Sequence, residues 1–160
     1  SKGIVKIYSE RELDFYREKT GDQFMVQRIV GDSEHEYTVG VFGYGNGEAN
    51  KPIIMKRKLS GEGATAKAEV IECEEIERKV DSFVKLLKPV GPTNFQFRKN
   101  GNDYLLLEIN PRISSSTSLR TSFGYNEAEM CIEYFVEGTK PITGSIKKGM
   151  AIRYISDYLT

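Results

Sequence analysis

Two strand-like runs, Asn94 to Arg98 and Tyr104 to Asn110, are joined by Lys99-Asn100-Gly101-Asn102-Asp103, and this pairing constrains the fold more than any other feature. An Asn-Gly turn between alternating runs signals a hairpin, because its positive-φ residues match the twist of antiparallel strands. Pro111 ends the second run, since proline cannot continue a hydrogen-bonded ladder.

The rest of the chain supplies partners for that hairpin. Gly3 to Tyr8 reads as a short strand. Ser9 with Glu12 forms a capping box that opens a helix over 10–19, ending before Gly21. Phe24 to Val30, Tyr37 to Tyr44 and Pro52 to Leu59 are strand-like, rich in β-branched and aromatic residues. Ser60 to Gly63 is a loop. From Glu74 to Lys88 the pattern turns helical, with Ile76, Val80, Phe83, Val84 and Leu87 on one face, and Pro89, Gly91 and Pro92 stop it. After a Ser/Thr-rich stretch a last helix covers 126–137, with Ala128, Cys131, Ile132 and Phe135 inward, and 150–155 returns as a strand. The expected class is α+β, a largely antiparallel sheet with flanking helices.

Glu108-Ile109-Asn110-Pro111-Arg112 carries the chemistry. On a strand, residues two apart share a face, so Glu108 and Asn110 stand side by side with Leu106 before them. Leu105, Leu107 and Ile109 then take the core face. A carboxylate and an amide oxygen are hard ligands suited to Mg²⁺. Arg112 adds a planar cation able to clamp a phosphate. Gln96 offers another oxygen if the register permits. A two-residue Asn100-Gly101 turn pairs 96 with 105 and turns Gln96 away from Glu108. A three-residue loop, 100–102, pairs 96 with 106 and restores it to that face. Metal binding requires this three-residue loop or a longer odd one.

Composition closes off other chemistries. Lys plus Arg and Asp plus Glu are 23 each, giving zero net charge and no nucleic-acid footprint. The apolar runs fall far short of the roughly 20 residues of a membrane helix, and no targeting leader is expected. With two cysteines, Cys73 and Cys131, no disulfide framework is indicated and a cytoplasmic setting is expected. The single histidine, His35, excludes paired-histidine zinc sites and sits in an acidic, exposed run unsuited to a catalytic triad. Carboxylates, amides and basic groups remain.

Gly91-Pro92-Thr93-Asn94-Phe95-Gln96-Phe97, followed by Leu107-Glu108-Ile109-Asn110-Pro111-Arg112, Ser114-Ser115-Ser116 and Gly124, resembles the catalytic half of an ATP-grasp domain. The flavour is that of the carbamoyl-phosphate synthase large subunit and related carboxylate–amine ligases, spread in order over about residues 1 to 140. The resemblance implies that Glu108 bridges two Mg²⁺ ions (Mn²⁺ can substitute), with Gln96 on one and Asn110 on the other. It implies that Arg112 and Asn94 contact the terminal phosphate. Met25 to Gly31 resembles the hinge that receives adenine, with Gln27 at a position usually acidic and the backbone of Arg28 and Ile29 reading the base edge. Glu36 leads a strand whose acid holds the ribose, and Glu34 is a rival for that role. One of Lys56, Arg57 and Lys58 can face phosphate, or all can form a solvated edge.

Ser1-Lys2-Gly3 resembles the end of the glycine-rich loop over the triphosphate, which puts Lys2 at the nucleotide. Residues 1–160 are thus expected to form a partial ATP-grasp domain whose amino-terminal portion is its natural partner. The implied parent is an ATP- and Mg²⁺-dependent ligase that activates a carboxylate as an acylphosphate for ammonia or an amine, the isolated chain being inactive. The rivals are a nucleotide-binding or interaction module without catalysis of its own, and a plain scaffold or dimerisation domain; an oligomer is compatible with each.

Overall fold

The computed structural model describes residues 4–154, apart from 22 and 62. Its centre is one six-stranded, wholly antiparallel sheet. The strands are β1 (Glu36–Tyr44), β2 (Ile53–Leu59), β3 (Thr65–Ile71), β4 (Val90–Asn100), β5 (Asp103–Asn110) and β6 (Met150–Ile152), in the spatial order β5-β4-β1-β2-β3-β6. The helices are α1 (Glu10–Thr20), α2 (Glu74–Leu87), α3 (Thr117–Ser122) and α4 (Glu127–Cys131), the last continued by a π-helical turn, Ile132–Val136. The α+β expectation, an antiparallel sheet with flanking helices, holds.

Each face of the sheet buries a different set of side chains. Tyr37, Val39, Val41, Ile54, Phe95 and Phe97 pack against Ile76, Val80 and Val84 of α2. The three helix residues recur at four-residue spacing, so one stripe of α2 meets the sheet. On the opposite face Phe42, Ile53, Met55, Ala68 and Val70 pack beneath Phe123, Tyr125 and Met130. Covered on both sides, β1 is buried from Glu36 to Gly43, unlike an alternating surface strand.

Several elements differ from the sequence expectation. Residues 4–8 and 23–30 are not strands. Met25, Val26 and Ile29 are exposed. Their β-branched composition lacks the pleated, half-buried surface that makes such residues favourable in strands. Thr65–Ile71, which the sequence expectation leaves without an element, pairs with β2. β4 begins four residues earlier than expected and includes Pro92, opposite Phe42. Proline is tolerated there because β5 reaches only as far as Asn94, leaving that side of β4 open. The expected helix over 126–137 is rotated: Glu127 and Met130 are buried, whereas Ala128, Ile132 and Phe135 are exposed. An ion pair from Glu127, described below, sets this rotation. Of the last expected strand only Met150–Ile152 is seen, and Ile155 lies outside the described residues.

The capping box forms with a variation. Ser9 Oγ accepts from the Glu12 amide at 3.2 Å, while the Glu12 carboxylate accepts from the Tyr8 amide at 2.8 Å, one residue before the cap.

Candidate functional site

The hairpin brings the expected side chains together by a route other than the one foreseen. Its loop has two residues, Gly101 and Asn102, between paired Asn100 and Asp103. That register runs through Phe97 opposite Leu106 and, continued unbroken, would set Gln96 opposite Leu107. A β-bulge at Leu107 shifts it, so Gln96 pairs with Glu108 and Asn94 with Asn110. The three-residue loop is therefore replaced by a shorter loop plus a bulge. The bulge also moves Leu106 to the core face, where it packs on the α2 cluster beside Ile109. One extra residue re-aims every side chain beyond it. Gln27 Nε2 donates to the carbonyl oxygen of Leu107 at 3.2 Å, tying the segment before β1 to the bulge.

On the resulting face stand Glu36, Thr38 and Gly40 of β1, Arg57 of β2, Asn94, Gln96 and Arg98 of β4, and Glu108 and Asn110 of β5. Two polar networks organise them. In the first, Arg57 Nη2 donates to Glu36 Oε1 and to Gln96 Oε1, each at 2.6 Å. Arg98 Nη2 donates to the other oxygen of Glu36 at 2.8 Å, and its Nη1 to the Val30 carbonyl at 3.3 Å. Glu36 is only 3% exposed, so its carboxylate is committed to these two cations. Buried carboxylates persist when paired in this way. Of the two acids considered for the ribose, Glu34 is the exposed one and pairs with Lys58 at 3.0 Å.

The second network has no counterpart in the sequence reading. Arg120 of α3 is fully buried. Its Nη1 donates to Glu127 Oε1 at 2.6 Å, and its Nη2 donates to Asn94 Oδ1 at 2.5 Å and Thr38 Oγ1 at 3.0 Å. Thr38 Oγ1 in turn donates to Asn94 Oδ1 at 2.7 Å. Burial lowers the Arg120 pKa and the Glu127 carboxylate opposes that shift. Asn94 thus has its oxygen occupied by two donors, and what it can offer a ligand is its Nδ2–H, a donor matched to phosphate oxygen. An arginine inside a Ser/Thr-rich segment carries no sequence signal of burial. Its acid partner seven residues later is the one hint available.

The remaining site residues lie around this face. Glu108 is exposed, and among the described residues its carboxylate makes no side-chain hydrogen bond. Asn110 Nδ2 is buried without a partner among the described residues, and no described group donates to the oxygen of the same amide, so that oxygen is free for an incoming ligand. Arg112 is exposed just past the strand, its Nη1 donating to the Ile113 carbonyl at 3.2 Å. Among the described residues no group of three His, Cys, Asp or Glu side chains could hold a metal. A divalent ion here would rest on one carboxylate and an amide oxygen, a donor set that fits Mg²⁺ when ligand oxygens complete it. Gln96 fits less well, because its oxygen already accepts from Arg57.

The segment before β1 is held close to this face. Gly31, with φ of 57°, runs against β4, where an added Cβ would meet the Lys99 carbonyl oxygen at 2.1 Å. The Lys99 amide donates to the His35 carbonyl at 3.0 Å. Arg28 and Ile29 are exposed on this segment, and Lys2 lies outside the described residues.

A family model described as ATP-grasp in the biosynthetic pathway with Ter operon matches residues 22–158. No curated protein matches the sequence. Among solved structures, the N5-carboxyaminoimidazole synthetase of Staphylococcus aureus complexed with ADP superposes with a TM-score of 0.66 at 16% identity, over 91% of this chain and 41% of that one. The phosphoribosylaminoimidazole carboxylase ATPase subunit of Aquifex aeolicus gives 0.61 at 18% identity, over 77% and 38%. The L-amino acid ligase of Bacillus licheniformis gives 0.56 at 15% identity, over 82% and 36%. Likeness at these identities establishes the fold, and the chain spans about two-fifths of the length of each structure.

Proposed function

The chain belongs to the family of ATP-grasp proteins in the biosynthetic pathway with Ter operon, and we propose that it carries the metal- and phosphate-binding strands of an ATP-dependent ligase. The observation that carries this is the placing of Glu108 and Asn110 on one face at the end of β5, with Asn94 opposite Asn110 and Arg112 just beyond. Such an enzyme joins a small carboxylate to ammonia or an amine, as in carbamoyl-phosphate-synthase-like ligases.

An oxygen of the carboxylate attacks the γ-phosphorus of ATP while the bond to the β,γ-bridging oxygen breaks, giving an acylphosphate and ADP. The nitrogen then adds to the acyl carbon, inorganic phosphate leaves with the C–O electron pair, and the nitrogen gives up a proton. Little covalent work falls to the protein; positioning and charge neutralisation dominate. Asn94 donates its Nδ2–H to the terminal phosphate, and the Arg112 fork clamps it from the strand end. Glu108 and Asn110 would hold a divalent ion, Mg²⁺ or Mn²⁺, which would supply positive charge against the phosphates. The backbone at Arg28 and Ile29, beside Gln27, meets the adenine edge, and the ribose lies toward Glu34 and Glu36, of which Glu34 is the exposed one while both Glu36 oxygens accept from arginines.

The chain spans about two-fifths of these structural neighbours; in this reading it acts with a further portion of the same enzyme, and the second reading is a nucleotide-binding module without turnover of its own. Cys73 and Cys131 are free thiols, and a reducing, cytoplasmic setting is part of this reading. No helix among the described residues is long and apolar enough to cross a membrane.

Calorimetric titration of Mg²⁺ with ADP, and with a non-hydrolysable ATP analogue, tests the proposal. Mg²⁺-dependent binding that Glu108→Ala abolishes, without loss of fold, is expected. Binding indifferent to Mg²⁺ and to that substitution would overturn it. Acylphosphate formation by the intact protein then separates ligase from binding module.

A further inference from the structure

Resting on the ligase reading above, we propose that Arg57 is a resident cation in the nucleotide site, standing where a second metal ion would otherwise bind. The divalent ion on Glu108 and Asn110 is then the only one, and Gln96 serves Arg57 and not a metal.

Three observations on this face point the same way. First, the Gln96 side-chain oxygen accepts from Arg57 Nη2 at 2.6 Å, at the atom a metal would need. Second, Arg57 is built in. It is 8% exposed, its Nη2 also reaches Glu36 Oε1 at 2.6 Å, and its Nη1 lies 3.5 Å from Thr65 Oγ1, itself 3.0 Å from Ser116 Oγ. Swinging Arg57 away to free Gln96 would leave one oxygen of the buried Glu36 carboxylate without its cation, a costly arrangement.

Third, the cations are already in place. Arg57 and Arg98 share the single carboxylate of Glu36, and Gln96 is neutral. A metal on Gln96 would meet the Arg57 guanidinium bound to that same oxygen, whereas the exposed Glu108 carboxylate opposite it has no cation among the described residues. A guanidinium stays charged across the accessible pH range and cannot be removed by chelation. Charge neutralisation at this end of the nucleotide would therefore be independent of metal concentration.

The test counts bound Mn²⁺ by electron paramagnetic resonance in the intact protein, with a saturating non-hydrolysable ATP analogue. Wild type is expected to hold one tightly bound ion, and Gln96→Met to hold one with affinity within about threefold. Arg57→Met, if it folds, should gain a second ion. Two ions in the wild type would overturn the inference while leaving the ligase reading standing. So would a loss of more than about tenfold in Gln96→Met, or a folded Arg57→Met that still holds one. No bound ion in the wild type would overturn both. If Arg57→Met does not fold, the wild-type count and Gln96→Met decide.

Discussion

Gly40 and Arg120 share one space: a Cβ added to Gly40 would stand 2.6 Å from Nη1 and 2.8 Å from Cζ of the Arg120 guanidinium. The missing side chain on β1 is what admits a fully buried arginine from α3, and that arginine fixes Asn94. Gly40→Ala should push the guanidinium off Asn94 and Thr38 at a cost of about 1–3 kcal/mol, the usual penalty for overpacking. Urea denaturation measures it. A change within experimental error would mean that Arg120 has slack the structure does not show.

Glu127 should behave as half of a buried ion pair. Glu127→Ala strands the Arg120 charge and is expected to cost about 3–5 kcal/mol. Replacing both partners with methionine should recover much of that loss, since no uncompensated charge then remains. A double variant less stable than Glu127→Ala would argue that the pair contributes attraction well beyond its desolvation cost.

Asn94→Asp separates fold from ligand binding. The new carboxylate keeps an oxygen acceptor for Thr38 and Arg120, so thermal stability should be retained. It replaces the Nδ2 donor with a second acceptor, facing phosphate with repulsion. A hydrogen bond to a charged group is worth about 1.5–3 kcal/mol, so affinity for the ATP analogue should fall by about 10- to 100-fold. Unaltered affinity would remove Asn94 from the phosphate site.

Acid should loosen the hairpin through Asp103. The ammonium of Lys79, 2.5 Å away, holds this carboxyl below the ordinary aspartate value of 3.8, and the Tyr104 backbone N–H assists. A folded pKa below the unfolded one means the contribution is present above the unfolded value and is lost as pH falls through the folded one. The stability difference between wild type and Asp103→Asn should therefore shrink between about pH 5 and pH 2. Lys79 and Asp103 are both partly exposed, so the difference is small and sensitive to salt. A difference independent of pH would show that the pair does not contribute.

The carboxylate–amide strand end was legible because residues two apart share a face whatever surrounds them. Glu108 and Asn110 therefore stand out by their spacing. The α2 stripe of Ile76, Val80 and Val84 was legible for the same kind of reason, a period imposed by the backbone. What register brings opposite them was not. Gln96 meets Glu108 only because a bulge at Leu107 compensates for a loop one residue shorter than expected, and no local propensity marks a bulge.

Amino-acid order alone thus determined the antiparallel hairpin, the α2 helix and which oxygen-bearing residues line one side of β5, all consequences of backbone periodicity and turn chemistry. The tertiary structure decided everything that depends on residues far apart in the chain. Thr65–Ile71 became a strand because β2 offered it a ladder, while 23–30 gained none among the described residues. Arg57 and Arg120, polar residues with no pattern to place them inside, were buried because Glu36 and Glu127 arrive from other elements to meet them. A buried charge is tolerable only beside its counter-charge and hydrogen-bond partners, and the distance to a partner is a property of the fold.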